Sequence, residues 1–120
     1  MAPVEPDVLD RLMAEIQHRA SVLPEGSYTT RLIRGGVDQM GAKIMEEAEE
    51  VVQAARQAES PDNQHLIYEA CDLIYHLWVL LGSRHISVDQ LRTELARREG
   101  TSGLEEKRSR SVSKQPSQDS

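Results

Sequence analysis

One stretch constrains this fold more than any other: Leu66 to Leu81, LIYEACDLIYHLWVLL. Placed about 100° apart around a helix axis, Leu66, Ala70, Leu73, Leu77 and Leu81 cover one side. Ile67, Cys71, Ile74, Trp78 and Val79 cover much of the rest. A helix apolar nearly all round must be buried nearly all round. A chain of 120 residues can build one modest core, with few other helices to enclose this one. The pattern therefore predicts self-association, in the simplest case a two-fold homodimer. Glu69, Asp72 and His76 interrupt the apolar run and leave it short of the roughly 18 residues of a membrane span.

The other segments are helical as well. Val8, Leu9, Leu12, Met13 and Ile16 make one apolar face of a helix from about Asp7 to Ala20, ended by LPEGS. A short helix spans Tyr28 to Arg34, with Ser27 or Thr29 available as N-cap, and Gly35-Gly36 breaks it. A third runs from about Val37 to Ala58 on Met40, Ile44, Ala48, Val51, Val52 and Ala55. Ser60 as N-cap and Pro61 at the first helical position open the fourth, which reaches Gly82. Ser87 and Gln90 form a capping-box pattern that opens a fifth helix to about Arg98. Residues 1–108 thus read as one all-α domain, an antiparallel helical bundle. From Ser109 the chain loses nearly all apolar content, which predicts a disordered tail over residues 109–120.

Composition agrees and excludes other classes. Three Tyr, one Trp and no Phe are thin for a sandwich or barrel, whereas helix formers dominate. A net charge of −6 argues against nucleic acid as a partner, since such proteins need a basic face. The N-terminal MAPVEPDVLDRLMAEI is acidic and amphipathic, unlike a signal peptide. The lone Cys71 makes no internal disulfide and fits a reducing compartment. A cytoplasmic protein without a membrane partner is the expectation.

The chemistry lies in the carboxylates. KIMEEAEEVV, Lys43 to Val52, holds Glu46, Glu47, Glu49 and Glu50. Glu46, Glu47 and Glu50 share a sector of roughly 100°, while Glu49 points away. Glu69 and Asp72 are three apart on the fourth helix, and His76 lies on the same narrow stripe. Antiparallel packing brings Glu47 and Glu50 opposite Glu69 and Asp72. Converging carboxylates stay ionised only around a cation, and an all-oxygen set suits Mg²⁺, or Mn²⁺, rather than zinc. The chemistry implied is metal-assisted cleavage of a phosphate ester or anhydride. Taken alone, EEAEE also reads as a solvated helix face, and His76 as a hydrogen-bonded core residue.

EExxE (Glu46, Glu47, Glu50) followed by ExxD (Glu69, Asp72) resembles the signature of the all-α MazG-like nucleotide pyrophosphohydrolases. PEGSYTTRLIRGG (Pro24 to Gly36), Lys43 and EACDLIYHLWVLL (Glu69 to Leu81) narrow the likeness to the phosphoribosyl-ATP pyrophosphohydrolase family. RREGTSGLEEKRSR (Arg97 to Arg110) is similar to a C-terminal extension in one subgroup. The resemblance covers roughly residues 8–108. It implies Mg²⁺-dependent hydrolysis of phosphoribosyl-ATP to phosphoribosyl-AMP and pyrophosphate, the second step of histidine biosynthesis. Carried over, Glu47, Glu50, Glu69 and Asp72 are metal ligands, and Glu46 orients or deprotonates the attacking water. Lys43 offsets phosphate charge or pairs with Glu47. Ser27, Tyr28 and Thr29 offer hydroxyls to a phosphate or ribose, or else form a helix cap and a packed tyrosine. His76 supports the ligands from behind. Arg31 and Arg34 are weaker candidates for anion contacts and otherwise read as surface charge.

The chain also departs from the family pattern. Ala42-Lys43-Ile44-Met45 stands where relatives often carry KKxG, so one cation is missing and Met45 replaces a small residue. Cys71 replaces a usual Ala and is expected to be buried as a small hydrophobe. The cyclohydrolase domain fused to some relatives does not occur in these residues. Two other readings are a MazG-like enzyme for another nucleoside triphosphate and a non-catalytic helical dimerisation module.

Overall fold

The computed structural model describes residues 5–57, 63–100 and 102–114, and among these every regular element is a helix. The chain divides into two compact units, residues 1–88 and 89–120.

In the first unit, α1 (Val8–Val22) starts on Asp7, whose side chain accepts from the Leu9 and Asp10 backbone N–H groups. Asp10 returns the bond to the Asp7 N–H, closing a capping box. α2 (Tyr28–Arg34) has the predicted bounds and takes Ser27 as its N-cap. Gly36, at φ +80°, turns the chain into α3 (Gly36–Gln57) through a conformation that costs other residues strain. α4 (Gln64–Ser83) follows after Asn63, which adopts the left-handed conformation with no side-chain cap bond. The predicted start at Ser60 and Pro61 lies outside the described residues.

α4 sits at the centre, packed against α3, α1 and α2. Glu50 lies near Glu69, and Glu47 near His76, so α3 and α4 run antiparallel as their connection requires. α1 runs parallel to α4 instead. The Trp78 indole N–H donates to the Leu9 carbonyl at 3.0 Å, and the Gln17 amide to the Ile86 carbonyl at 3.1 Å. Between these ties the two helices meet at Gly82, where a Cβ would stand 2.8 Å from Ile16 Cγ2. Met13, Ile16, Leu32, Met40, Ala54, Trp78 and Val79 form the buried core.

By length and composition α4 is apolar enough to cross a membrane, but its polar stripe and central packing read as a core helix. The chain does not enclose it completely. Its buried residues, His76, Trp78, Val79 and Gly82, all lie in the C-terminal half, whereas Ile67 is 51% and Tyr68 62% exposed, and Cys71 is exposed rather than buried. On α3, Met45 and Val52 are 72% and 48% exposed. The exposure of Met45 explains how a large residue is accommodated there.

The second unit carries α5 (Val88–Arg98) from its second residue onward, and α6 (Gly103–Lys114). Glu94 accepts from Arg97 and Arg98, and these bonds hold its carboxyl down at about 2. Sequence composition missed α6. Ser102 caps it by accepting from the Glu105 N–H at 3.1 Å, and LEEKR supplies strong helix formers. The helix continues past Ser109, so residues 109–114 are helical where loss of structure was predicted; residues 115–120 lie outside the described residues.

Candidate active site

Antiparallel packing of α3 on α4 brings Glu47, Glu50 and Glu69 together, with one ligand oxygen from each within 4.8 Å of the others. Three- and four-residue spacings explain the choice on α3: Glu47 and Glu50 share the face turned to α4, and Glu49 is exposed elsewhere. Glu47 is buried, at 6% exposure. Asp72 stands close enough for its charge to act on both Glu47 and Glu69, but outside the group within 4.8 Å.

The cluster is electrostatically unsatisfied. Burial, then hydrogen bonding to Glu50, then the charges of Glu50 and Asp72 push the Glu47 carboxyl up to about 7, against a partial offset from Lys43. Burial and Glu50 likewise raise Glu69, with His65 opposing. Glu47 Oε2 and Glu69 Oε2 are buried without a hydrogen-bond partner. Of the buried side-chain polar atoms in that condition among the described residues, the other is Thr30 Oγ1. Buried carboxylate oxygens are rarely left so in a native fold. Three converging carboxylates, two of them with an unpartnered buried oxygen, fit a hard divalent cation such as Mg²⁺.

Lys43 sits at the rim, 2.9 Å from Glu46 Oε2 and 3.8 Å from Glu47 Oε1. The bond to Glu46 raises its pKa, and the nearby Tyr28 adds to the effect. Glu46 itself points to Lys43 and stays 54% exposed at its side chain, apart from the three converging oxygens.

Behind the carboxylates, His76 is 7% exposed and fully bonded. Its Nδ1 lies 2.8 Å from the Asp72 carbonyl, which only accepts, so Nδ1 carries a proton. In the neutral ring Nε2 then accepts from the Tyr28 hydroxyl at 2.9 Å. His76 Nδ1 is also 3.9 Å from Glu47 Oε1, which ties α2 to the carboxylate face through one ring.

The three hydroxyls predicted as substrate donors separate in the structure. Ser27 caps α2, accepting from the Thr30 N–H at 3.3 Å. Thr29 is 0% exposed, and its hydroxyl is bonded to that of Tyr75. Tyr28 remains 41% exposed beside the site. Two neighbours escaped sequence reasoning. Tyr75, beside His76, contacts its ring edge-on at 5.3 Å. His65 lies one helical turn before Glu69, with Nε2 3.9 Å from Oε1, a spacing that does signal it.

Residues 9–99 match the family described as phosphoribosyl-ATP pyrophosphohydrolase. The chain belongs to that family. It is 56% identical over 106 residues to the phosphoribosyl-ATP pyrophosphatase of Rhodopirellula baltica, covering 88% of each chain. It is 45% identical over 104 residues to the same-named protein of Erythrobacter litoralis, covering 87% of this chain and 97% of that one. A histidine biosynthesis bifunctional protein of Wolinella succinogenes is 42% identical over 103 residues, which are 86% of this chain and 44% of that protein. The all-helical fold and the family agree with the resemblance carried by EExxE and ExxD. The enzyme is a hydrolase acting on a pyrophosphate bond.

Proposed function

We propose that this phosphoribosyl-ATP pyrophosphohydrolase family member hydrolyses phosphoribosyl-ATP to phosphoribosyl-AMP and pyrophosphate in histidine biosynthesis, with Mg²⁺, or Mn²⁺ in its place. The observation that carries the reading is the convergence of Glu47, Glu50 and Glu69 with two buried, unpartnered oxygens. Those three side chains and Asp72 hold the cation. When bound, it neutralises the triphosphate and makes water a stronger nucleophile at neutral pH.

The chain's own residues do the rest. Glu46, exposed at the rim, takes the proton as the water oxygen bonds to the α-phosphorus and the bond to the bridging oxygen breaks. Lys43 holds Glu46 in place and offsets charge on the phosphates. Ser27 sets the start of α2, and Tyr28 offers its hydroxyl oxygen to the substrate while its proton rests on His76. His76 keeps Glu47 and the Asp72 turn in register.

We also place the enzyme in the cytoplasm as a homodimer, with neither nucleic acid nor membrane as partner. The exposed apolar faces of α3 and α4 support the dimer, and the acidic net charge of −6 disfavours nucleic acid.

The test is pyrophosphate release from phosphoribosyl-ATP beside a panel of nucleoside triphosphates, with and without Mg²⁺. Preference for phosphoribosyl-ATP in the presence of metal is expected. Preference for ordinary triphosphates overturns the substrate, and no metal-dependent release from the folded protein overturns the mechanism.

A further inference from the structure

The substrate of the proposed reaction carries charge at two places. Its triphosphate meets the carboxylate cluster and its cation. Its phosphoribosyl group ends in a phosphate monoester, a dianion near neutral pH, which the same cluster repels. Glu46, Glu47, Glu50, Glu69 and Asp72 make that wall acidic, and Lys43 is already engaged by Glu46 and Glu47. A second cation is required beside the site.

Arg31 meets that requirement. Its guanidinium carbon lies 5.8 Å from the centroid of the Tyr28 ring. The Tyr28 hydroxyl is bonded to His76 at 2.9 Å, and His76 reaches Glu47 at 3.9 Å, so the ring joins Arg31 to the metal-binding wall. At that distance the guanidinium is within cation–π range of the ring, a contact that consumes none of its N–H donors. No carboxylate pairs with Arg31 among the described residues, whereas Arg19 is held by Glu15 at 3.0 Å. Both Arg31 and Tyr28 are exposed, so a ligand reaches them without rearrangement. A planar fork of donors without a carboxylate partner, held beside an aromatic ring, suits bidentate recognition of a phosphate.

We infer that Arg31 binds the phosphate monoester of the phosphoribosyl group and thereby selects phosphoribosyl-ATP over ATP. The assignment rests on the proposed function and goes beyond it by giving the second phosphate its own contact. Arg34, on the same short helix, has no such ring beneath it among the described residues.

The experiment uses the full chain with Mg²⁺ and three proteins: wild type, Arg31→Ala and Arg31→Lys. Pyrophosphate release gives KM and kcat for phosphoribosyl-ATP, and ATP and ribose 5-phosphate serve as competitive inhibitors. Arg31→Ala is expected to raise KM for phosphoribosyl-ATP roughly tenfold or more. Its inhibition by ribose 5-phosphate should weaken in parallel, and inhibition by ATP should stay within about twofold. Arg31→Lys should recover part of the loss, since it restores charge but not the fork. Equal weakening of ATP and phosphoribosyl-ATP, or an unchanged KM in Arg31→Ala, overturns the assignment while the function stands. No turnover of phosphoribosyl-ATP by the wild type overturns the function, and this assignment with it.

Discussion

Glu47 of α3 and Glu69 of α4 bring ligand oxygens within 4.8 Å of one another, and each leaves its Oε2 buried with no hydrogen-bond partner. The two helices therefore oppose each other electrostatically at this point. A buried carboxylate lacking a partner destabilises the folded chain. The arrangement makes physical sense as a binding site whose unfavourable free state is relieved by a cation.

Glu47→Gln separates those two effects, because the amide keeps the shape and removes the charge. The metal-free variant should melt several degrees above the wild type at pH 8. Its Mg²⁺-induced thermal shift should vanish, and kcat should fall by on the order of 100-fold or more, since even loss of an outer metal partner costs up to about that much and Glu47 is placed as a ligand. Calorimetric melting with and without Mg²⁺, beside a pyrophosphate-release assay, checks all three. A less stable variant with full activity would remove Glu47 from the site.

The same carboxyl sets a pH dependence. Burial and Glu50 raise Glu47 from 4.5 to about 7, so across that window the folded state binds more protons than the unfolded state. Stability from this group is fully present below about 4.5 and is lost as pH rises through about 7; Glu69 acts in the same direction. The metal-free protein should melt at a lower temperature at pH 8 than at pH 5, and Mg²⁺ should stabilise it more at the higher pH. Melting curves taken at unit steps of pH measure both slopes. A metal-free melting temperature that climbs over this range contradicts the prediction.

Tyr28→Phe removes the hydroxyl that His76 Nε2 receives but keeps the ring under Arg31. Loosening His76 should lower kcat about tenfold, the smaller end of the effect of an outer metal partner. KM for phosphoribosyl-ATP should rise a few-fold, because the substrate loses the hydroxyl oxygen as a partner. Stability should change by about 1 kcal/mol or less, since Tyr28 is 41% exposed. Steady-state kinetics and urea unfolding provide the readouts.

Gly82→Ala tests the parallel contact of α1 with α4. The new Cβ would meet Ile16 Cγ2 at 2.8 Å and Met13 Sδ at 3.2 Å, both buried side chains. Overpacking of this kind costs about 1–3 kcal/mol. The urea midpoint should fall accordingly, with kcat per folded molecule little changed because Gly82 lies away from the carboxylates.

The exposed apolar faces make a prediction about assembly. Ile67→Asp, placed on the 51% exposed Ile67, should convert a dimer into a monomer in light scattering at micromolar concentration. A variant that remains dimeric locates the interface elsewhere.

Helical periodicity is a local property, and what depends on it was legible in the chain. It gave the bounds of α2, the pairing of Glu47 with Glu50 on one face, the outward turn of Glu49, and the stripe of Glu69, Asp72 and His76. It also gave the meeting of α3 with α4, because a short connection makes neighbours antiparallel. Segments without that signal were misread. α6 has little apolar content to reveal it, and its cap at Ser102 decided its start.

Distances between helices do not follow from periodicity, and tertiary packing decided them. It left Asp72 outside the oxygens that converge within 4.8 Å and turned Glu46 onto Lys43. It buried Thr29 on Tyr75 and exposed Cys71. It also set Arg31 over Tyr28. The reason is geometric: a helix wheel fixes an angle around one axis, whereas burial, hydroxyl partners and ligand distances depend on how two axes approach. The sequence alone determined that carboxylates line the faces of two helices. Only the packed structure decided which of their oxygens are left without a partner.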